Sequence, residues 1–121
     1  ISFCGLSELA DKPAAILNVA QKKRLEIARA FATDPKLLLL DETMAGLTAT
    51  ERMESVELIR EINQRGVSIV MIEHNMDVVM SVSNRVLVLD AGKMLALGSP
   101  EEVTSNEAVI NAYLGGGKKN A

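Results

Sequence analysis

The chain has 121 residues, 48% of them apolar and 24% charged, with a formal net charge of −3. That length bounds one domain or part of one, the composition excludes a disordered chain, and the mild acidity argues against a strongly basic nucleic-acid face while leaving room for one basic helix. The only aromatics are Phe3, Phe31 and Tyr113, so the expected core is aliphatic, with the six methionines as filler.

The chain begins with Ile1 rather than Met, as expected of a piece of a longer sequence. The opening "ISFCGLSELADK" lacks the basic region of a signal peptide, and no apolar run approaches the roughly 20 residues needed to span a bilayer. A single cysteine, Cys4, builds neither a disulfide framework nor a thiolate metal cluster and reads as a small buried hydrophobe. A cytosolic chain follows. "QKKRLEIARAFAT" (21–33) predicts an amphipathic helix with Leu25, Ala28, Phe31 and Ala32 inward and Lys22, Lys23, Arg24 and Arg29 outward. Asp34-Pro35 stops it, because the residue before proline is pushed out of the α region. "KLLLL" (36–40) has no alternation and predicts a strand buried on both faces.

Next, "TATERMESVELIREINQRG" carries Met53, Val56, Ile59 and Ile62 at every third position, with charges outward and Gly66 as the stop. "VSIVMIE" (67–73) predicts a second buried strand, "NMDVVMSVS" a short helix, and "RVLVLDAGKMLALG" a β-hairpin around Ala91-Gly92. Pro100-Glu101-Glu102 opens a further helix and "NEAVINAYL" forms the last, before the polar tail "GGGKKNA". Two buried strands separated by a helix imply an α/β layered sheet joined by a crossover.

In open α/β sheets, ligands bind beyond the carboxyl ends of strands. Those ends carry Asp41 and Glu42, then Glu73 and His74. An Asp there suits Mg²⁺, a hard cation that takes oxygen ligands, and a neighbouring carboxylate can orient or deprotonate a water. Imidazole can donate to a phosphate oxygen at neutral pH. Taken singly, each of these residues reads equally as a solvated strand end or a cap.

The wording of two long segments narrows the choice. "QKKRLEIARAFATDPKLLLLDETMAGLTATE" resembles the span from signature helix to D-loop of an ABC-type ATPase, and "VSIVMIEHNMDVVMSVSNRVLVLDAGKMLALGSPEEV" resembles the switch-histidine region and hairpin that follow. The resemblance runs from about Gly5 to Leu114. "LEIARA", "AGLT", "IEHNMDVVM" and "VINAYLG" are most similar to ATP-binding subunits of branched-chain amino acid importers. The implied fold is α/β, a partial P-loop NTPase (ABC ATPase) fold. It has a mostly parallel sheet flanked by helices, with a C-terminal β-hairpin and short helices. The implied domain spans 1–114: the end of a helical subdomain over 1–34, the nucleotide-facing strands and hairpin over 35–99, terminal helices over 100–114, and a flexible tail over 115–121.

The resemblance implies functional residues as well. Asp41 closes the Walker B strand and holds Mg²⁺, Glu42 is the catalytic carboxylate that polarises the attacking water, and His74 contacts the γ-phosphate. Ala45, Gly46, Leu47 and Thr48 form the D-loop, and Asn18, Val19, Ala20 and Gln21 stand in the signature that faces ATP held by a second subunit. ATP is the implied ligand, a second head-to-tail ATPase subunit and membrane permease subunits are the implied partners, and the implied location is peripheral at the cytoplasmic face of the membrane. No nucleic acid is implied, and the chain contributes no transmembrane segment of its own.

Several positions depart from the family pattern. Thr43 replaces the usual proline, and Thr48 the usual Asn or Asp. "LNVAQ" (17–21) replaces Leu-Ser-x-Gly-Gln, so Asn18 stands for a serine and Ala20 for a glycine that permits close backbone approach. The 121 residues contain no G-x-x-x-x-G-K-[ST] phosphate loop, and "GGGKK" has the wrong spacing for one. The 121 residues alone are therefore expected not to turn over ATP, and exposed strand edges or apolar faces are expected where the remainder of such a domain would pack. An alternative from another class is a non-catalytic ABC-like interaction or regulatory module with a degenerate signature. A receiver-like phosphoacceptor built on Asp41 is a weaker third, because Glu8 and Asp11 are poorly placed to complete it.

Overall fold

A computed structural model describes residues 1–114; the tail expected over 115–121 lies outside the described residues. The chain divides into two compact units, Ile1–Val78 and Val79 onward.

The first unit opens with three short 3-10 turns, Ser2–Cys4, Ser7–Leu9 and Ala14–Ile16. Helix α1 (Val19–Phe31) starts at Asn18, whose side chain accepts from the Gln21 amide while the Gln21 side chain accepts from the Asn18 amide, a reciprocal capping box. The helix ends before Asp34-Pro35 as expected, but Asp34 leaves the α region for the left-handed one, at φ 53°. Its fully buried residue is Ile27 rather than the expected Ala28, and Ala32 is exposed. The inward line runs Ala20, Arg24, Ile27 and Phe31 at helical spacing, with the Arg24 guanidinium reaching out to Glu54 on the next helix. Phe31 meets the Phe3 ring at 5.4 Å, and the Arg65 guanidinium covers the Phe3 ring at 3.9 Å, which ties the N-terminal turns to α1 and to Arg65.

Strands β1 (Leu37–Asp41) and β2 (Ser68–Ile72) pair in parallel, Leu37 opposite Ser68 through Asp41 opposite Ile72, connected through helix α2 (Ala49–Gln64). The expectation of burial on both faces is corrected. Leu38 and Leu40 are buried, whereas Leu37, Leu39, Val70 and Ile72 are 52–69% exposed. Side chains of a strand alternate between faces, and the described residues cover only one face of this two-stranded sheet. On α2 the stripe Val56, Ile59 and Ile62 is buried as expected, but Met53 is exposed. Ser55 and Leu58 widen the stripe instead, and the Ser55 hydroxyl is satisfied by donating to the Glu51 carbonyl at 2.9 Å. Met44 is the buried methionine; Met53 and Met94 are exposed, which corrects the reading of all six as core filler. Cys4 is buried and free, and burial pushes its thiol pKa up.

Helix α3 (Met76–Val82) runs into the second unit. There strands β3 (Val86–Asp90) and β4 (Lys93–Gly98) form the expected antiparallel hairpin. Its turn has positive φ at both central residues, Ala91 (46°) and Gly92 (76°), the twist that a two-residue hairpin loop requires. Val79, Val86, Val88, Val103 and Val109 make this unit's core, with Leu95 and Ala96 packed against it. Helix α4 (Pro100–Thr104) starts with Pro100 at its first position and a Ser99–Glu102 capping box. Asn106 caps the short α5 (Glu107–Val109), a π turn (Ile110–Leu114) follows, and the Tyr113 hydroxyl donates to the Leu89 carbonyl. Among the described residues, no helix is long and apolar enough to cross a membrane.

Candidate functional site

The parallel pairing of β1 and β2 brings both strands' carboxyl ends together, and their next residues form one cluster. Asp41 stands opposite Ile72, and the Glu42 amide donates to the Ile72 carbonyl at 2.9 Å, extending the ladder by one bond. Glu42 then turns into the left-handed region at φ 46°. That conformation is uncommon for a residue with a side chain and persists where the surroundings over-determine it. The turn breaks strand alternation and places Glu42 Oε1 3.7 Å from His74 Nδ1, with both side chains more than half exposed. At this exposure the pair is solvent-screened and adds little to stability. Glu73, between Ile72 and His74, is half-buried and accepts from the Met44 amide at 3.2 Å.

The Asp41 side chain is exposed and engages in no hydrogen bond or ion pair among the described residues. No group of three His, Cys, Asp or Glu side chains able to hold a metal ion occurs there. A single free carboxylate fits Mg²⁺ as nucleotide enzymes hold it, through one or two carboxylates with water and substrate phosphates completing the shell.

Residues 45–48, expected as a D-loop, follow as a turn closed by the Ala45 amide on the Glu42 carbonyl and the Leu47 amide on the Met44 carbonyl, each at 3.3 Å. Gly46 carries φ 79°, and a Cβ placed on it would lie 3.7 Å from Val19 Cγ1, so this turn and the start of α1 are neighbours. Arg52 donates to the Leu47 carbonyl at 2.7 Å. The Thr48 hydroxyl is committed to the cap of α2: it accepts from the Glu51 amide at 3.3 Å, and lies 2.9 Å from Glu51 Oε2. The Thr48 amide, and then its hydroxyl, hold the Glu51 carboxyl below its ordinary pKa. A lowered folded-state pKa stabilises above the ordinary carboxylate range, and that contribution is lost as pH falls through the lowered value. Thr48→Ala is expected to cost about 0.5–2 kcal/mol. Urea unfolding checks this, and the wild-type advantage should shrink in acid.

Thr43 is buried, and its hydroxyl is the one buried side-chain polar atom without a partner among the described residues. An unpaired buried hydroxyl is costly. Thr43→Val keeps the shape and removes the orphan, and is expected to raise stability by about 1 kcal/mol, read as a higher urea midpoint.

At the start of α1, Asn18 and Gln21 spend their side chains on the capping box, Ala20 is half-buried and Val19 is exposed. No hydrogen bond or ion pair among the described residues joins these four positions to Asp41, Glu42 or His74. The sequence brings Glu73 to the same strand end without indicating a partner for it. Its link to Met44 depends on the turn at Glu42, which no local pattern announces.

The chain is similar to known proteins. A family profile described as "ABC transporter" matches residues 1–45, and one described as "Branched-chain amino acid ATP-binding cassette transporter" matches residues 93–119. The high-affinity branched-chain amino acid transport ATP-binding protein LivG of Salmonella typhimurium is 46% identical over 112 residues, covering 92% of this chain and 44% of LivG. BraF of Pseudomonas aeruginosa, named for the same transport, is 42% identical over 91% of this chain and 44% of its own length. Among solved structures, the ADP conformation of MJ1267, an ATP-binding cassette of an ABC transporter, superposes with a TM-score of 0.85 at 30% identity, covering 94% of this chain and 46% of that one. The chain thus spans a little under half the length of these relatives. On these matches the chain has a P-loop NTPase-type α/β fold and is similar over most of its length to ABC transporter ATPases, with marked similarity to the ATP-binding proteins of branched-chain amino acid transport.

Proposed function

We propose that this chain is part of the ATP-binding subunit of a branched-chain amino acid importer, acting on Mg-ATP at the interface of a head-to-tail ATPase dimer and driving membrane permease partners from the cytoplasmic face. The observation that carries the reading is the approach of Glu42 to His74 beside the free Asp41, all at the carboxyl ends of two parallel strands. Asp41 would hold Mg²⁺, which when bound supplies charge neutralisation to the phosphates. Glu42 orients the attacking water and takes up its proton. His74 presents Nδ1 to Glu42, which leaves Nε2 for a phosphate oxygen, and both ring nitrogens donate in the imidazolium form. Ala45, Gly46, Leu47 and Thr48, with Asn18, Val19, Ala20 and Gln21, would face nucleotide across the dimer. Division into 1–34, 35–99 and 100–114 belongs to the same reading.

One observation favours the alternative, a non-catalytic ABC-like module: Asn18 and Gln21 are occupied in capping their own helix, and Ala20 adds a methyl group where close approach matters. A chimera separates the two readings, with this chain replacing the matching stretch of a LivG relative. ATP hydrolysis by the chimera is expected, and Asn18→Ser with Ala20→Gly should raise it, because a hydroxyl donor and a closer backbone strengthen contact at the helix N-terminus. An inert chimera, or a rate indifferent to the double substitution, turns the assignment toward the non-catalytic module.

A further inference from the structure

Resting on the ATPase reading above, we propose that Glu73 is a positioning residue. Its carboxylate pins the Met44 amide to the end of β2 and thereby holds Glu42 against His74. Three consecutive residues of one strand end grip the loop that leaves the other: the Ile72 carbonyl accepts from the Glu42 amide at 2.9 Å, Glu73 Oε1 accepts from the Met44 amide at 3.2 Å, and His74 Nδ1 lies 3.7 Å from Glu42 Oε1.

Glu42 sits between the first two of these bonds in a left-handed conformation at φ 46°. The bond at its own amide fixes the chain before the turn, and the bond at Met44 fixes it after. Met44 is 3% exposed, so its amide needs a protein partner. Thr43 does not supply one, since its hydroxyl is unpartnered. Just beyond the last strand residue, Ile72, Glu73 is half-buried against the loop backbone, while the His74 side chain stays 74% exposed beside Glu42. Glu73 forms no ion pair among the described residues. What the site uses is therefore the reach of an acceptor oxygen and not a negative charge.

Two substitutions separate reach from charge. Glu73→Gln keeps the acceptor and the length but removes the charge; Glu73→Asp keeps the charge and shortens the arm by one methylene. In the 121-residue chain, amide exchange at Met44 and cross-relaxation between the His74 ring and the Glu42 side chain are followed by NMR. Glu73→Gln should match wild type. Glu73→Asp should speed Met44 exchange by about tenfold or more and weaken the His74–Glu42 cross-peak, with the global unfolding midpoint unchanged. In the hydrolysis assay of the chimera, Glu73→Asp should lower kcat by about 10–100-fold at unchanged KM for Mg-ATP, and Glu73→Gln should restore it. The opposite ranking, with Glu73→Asp intact and Glu73→Gln impaired, overturns the proposal in favour of a charged ligand or proton carrier. Unchanged Met44 exchange in Glu73→Asp overturns it as well. A chimera without hydrolysis defeats the ATPase reading, and the NMR comparison still decides whether the pin exists.

Discussion

Glu42→Gln, introduced into a hydrolysing chimera, is expected to lower steady-state phosphate release by about 10²–10⁴-fold, the usual worth of a general base. Glutamine keeps the length and the hydrogen-bonding oxygen, so the approach to His74 and the strained turn should survive. What is lost is the capacity to take a proton from water. Nucleotide binding should be retained, because the role proposed for Glu42 is toward the reacting water and not toward the phosphates. The measurement pairs phosphate release with equilibrium binding of a fluorescent nucleotide. A rate equal to the parent's would remove Glu42 from the chemistry, while loss of both rate and binding would point to a collapsed loop instead.

The second large effect concerns stability. Ile62→Ala should cost about 2–5 kcal/mol, the range for emptying a buried aliphatic site. Ile62 is 0% exposed on the inner face of α2, next to Ile59 and one turn beyond Leu58, all buried. A small domain is stable by only about 5–15 kcal/mol, and the sheet behind α2 leaves Leu37, Leu39, Val70 and Ile72 exposed on its other side. The loss is therefore expected to remove a large share of the chain's stability, seen as a much lower urea midpoint by circular dichroism. Met53→Ala on the same helix is the contrast. Met53 is 54% exposed, so a change well below that of Ile62→Ala is expected.

Glu42 and Ile62 also mark where sequence reasoning succeeds and where it stops. The order of helices and strands, the hairpin turn at Ala91-Gly92 and the stripe Val56, Ile59 and Ile62 follow from periodicity and turn chemistry, which act over a few neighbouring residues. The placing of Asp41, Glu42 and His74 at strand ends was equally legible, because an apolar run that stops in charged residues fixes its own end. A bare apolar face was expected, but that Leu37 and Leu39 line it was not legible, nor were the choice of Ile27 over Ala28, the exposure of Met53 and the burial of Thr43. Each depends on what another segment places against it, and a leucine's own chemistry is the same on a covered face as on a bare one. The same holds at the site. Local sequence supplied the carboxylates and the imidazole, whereas their approach required parallel pairing between segments some thirty residues apart. Only the tertiary structure decided that Glu42 adopts a left-handed turn, that Thr48 and Asn18 spend their side chains on helix caps, and that Glu73 reaches the Met44 amide, since each of these is a competition among partners that exist only once the chain has folded.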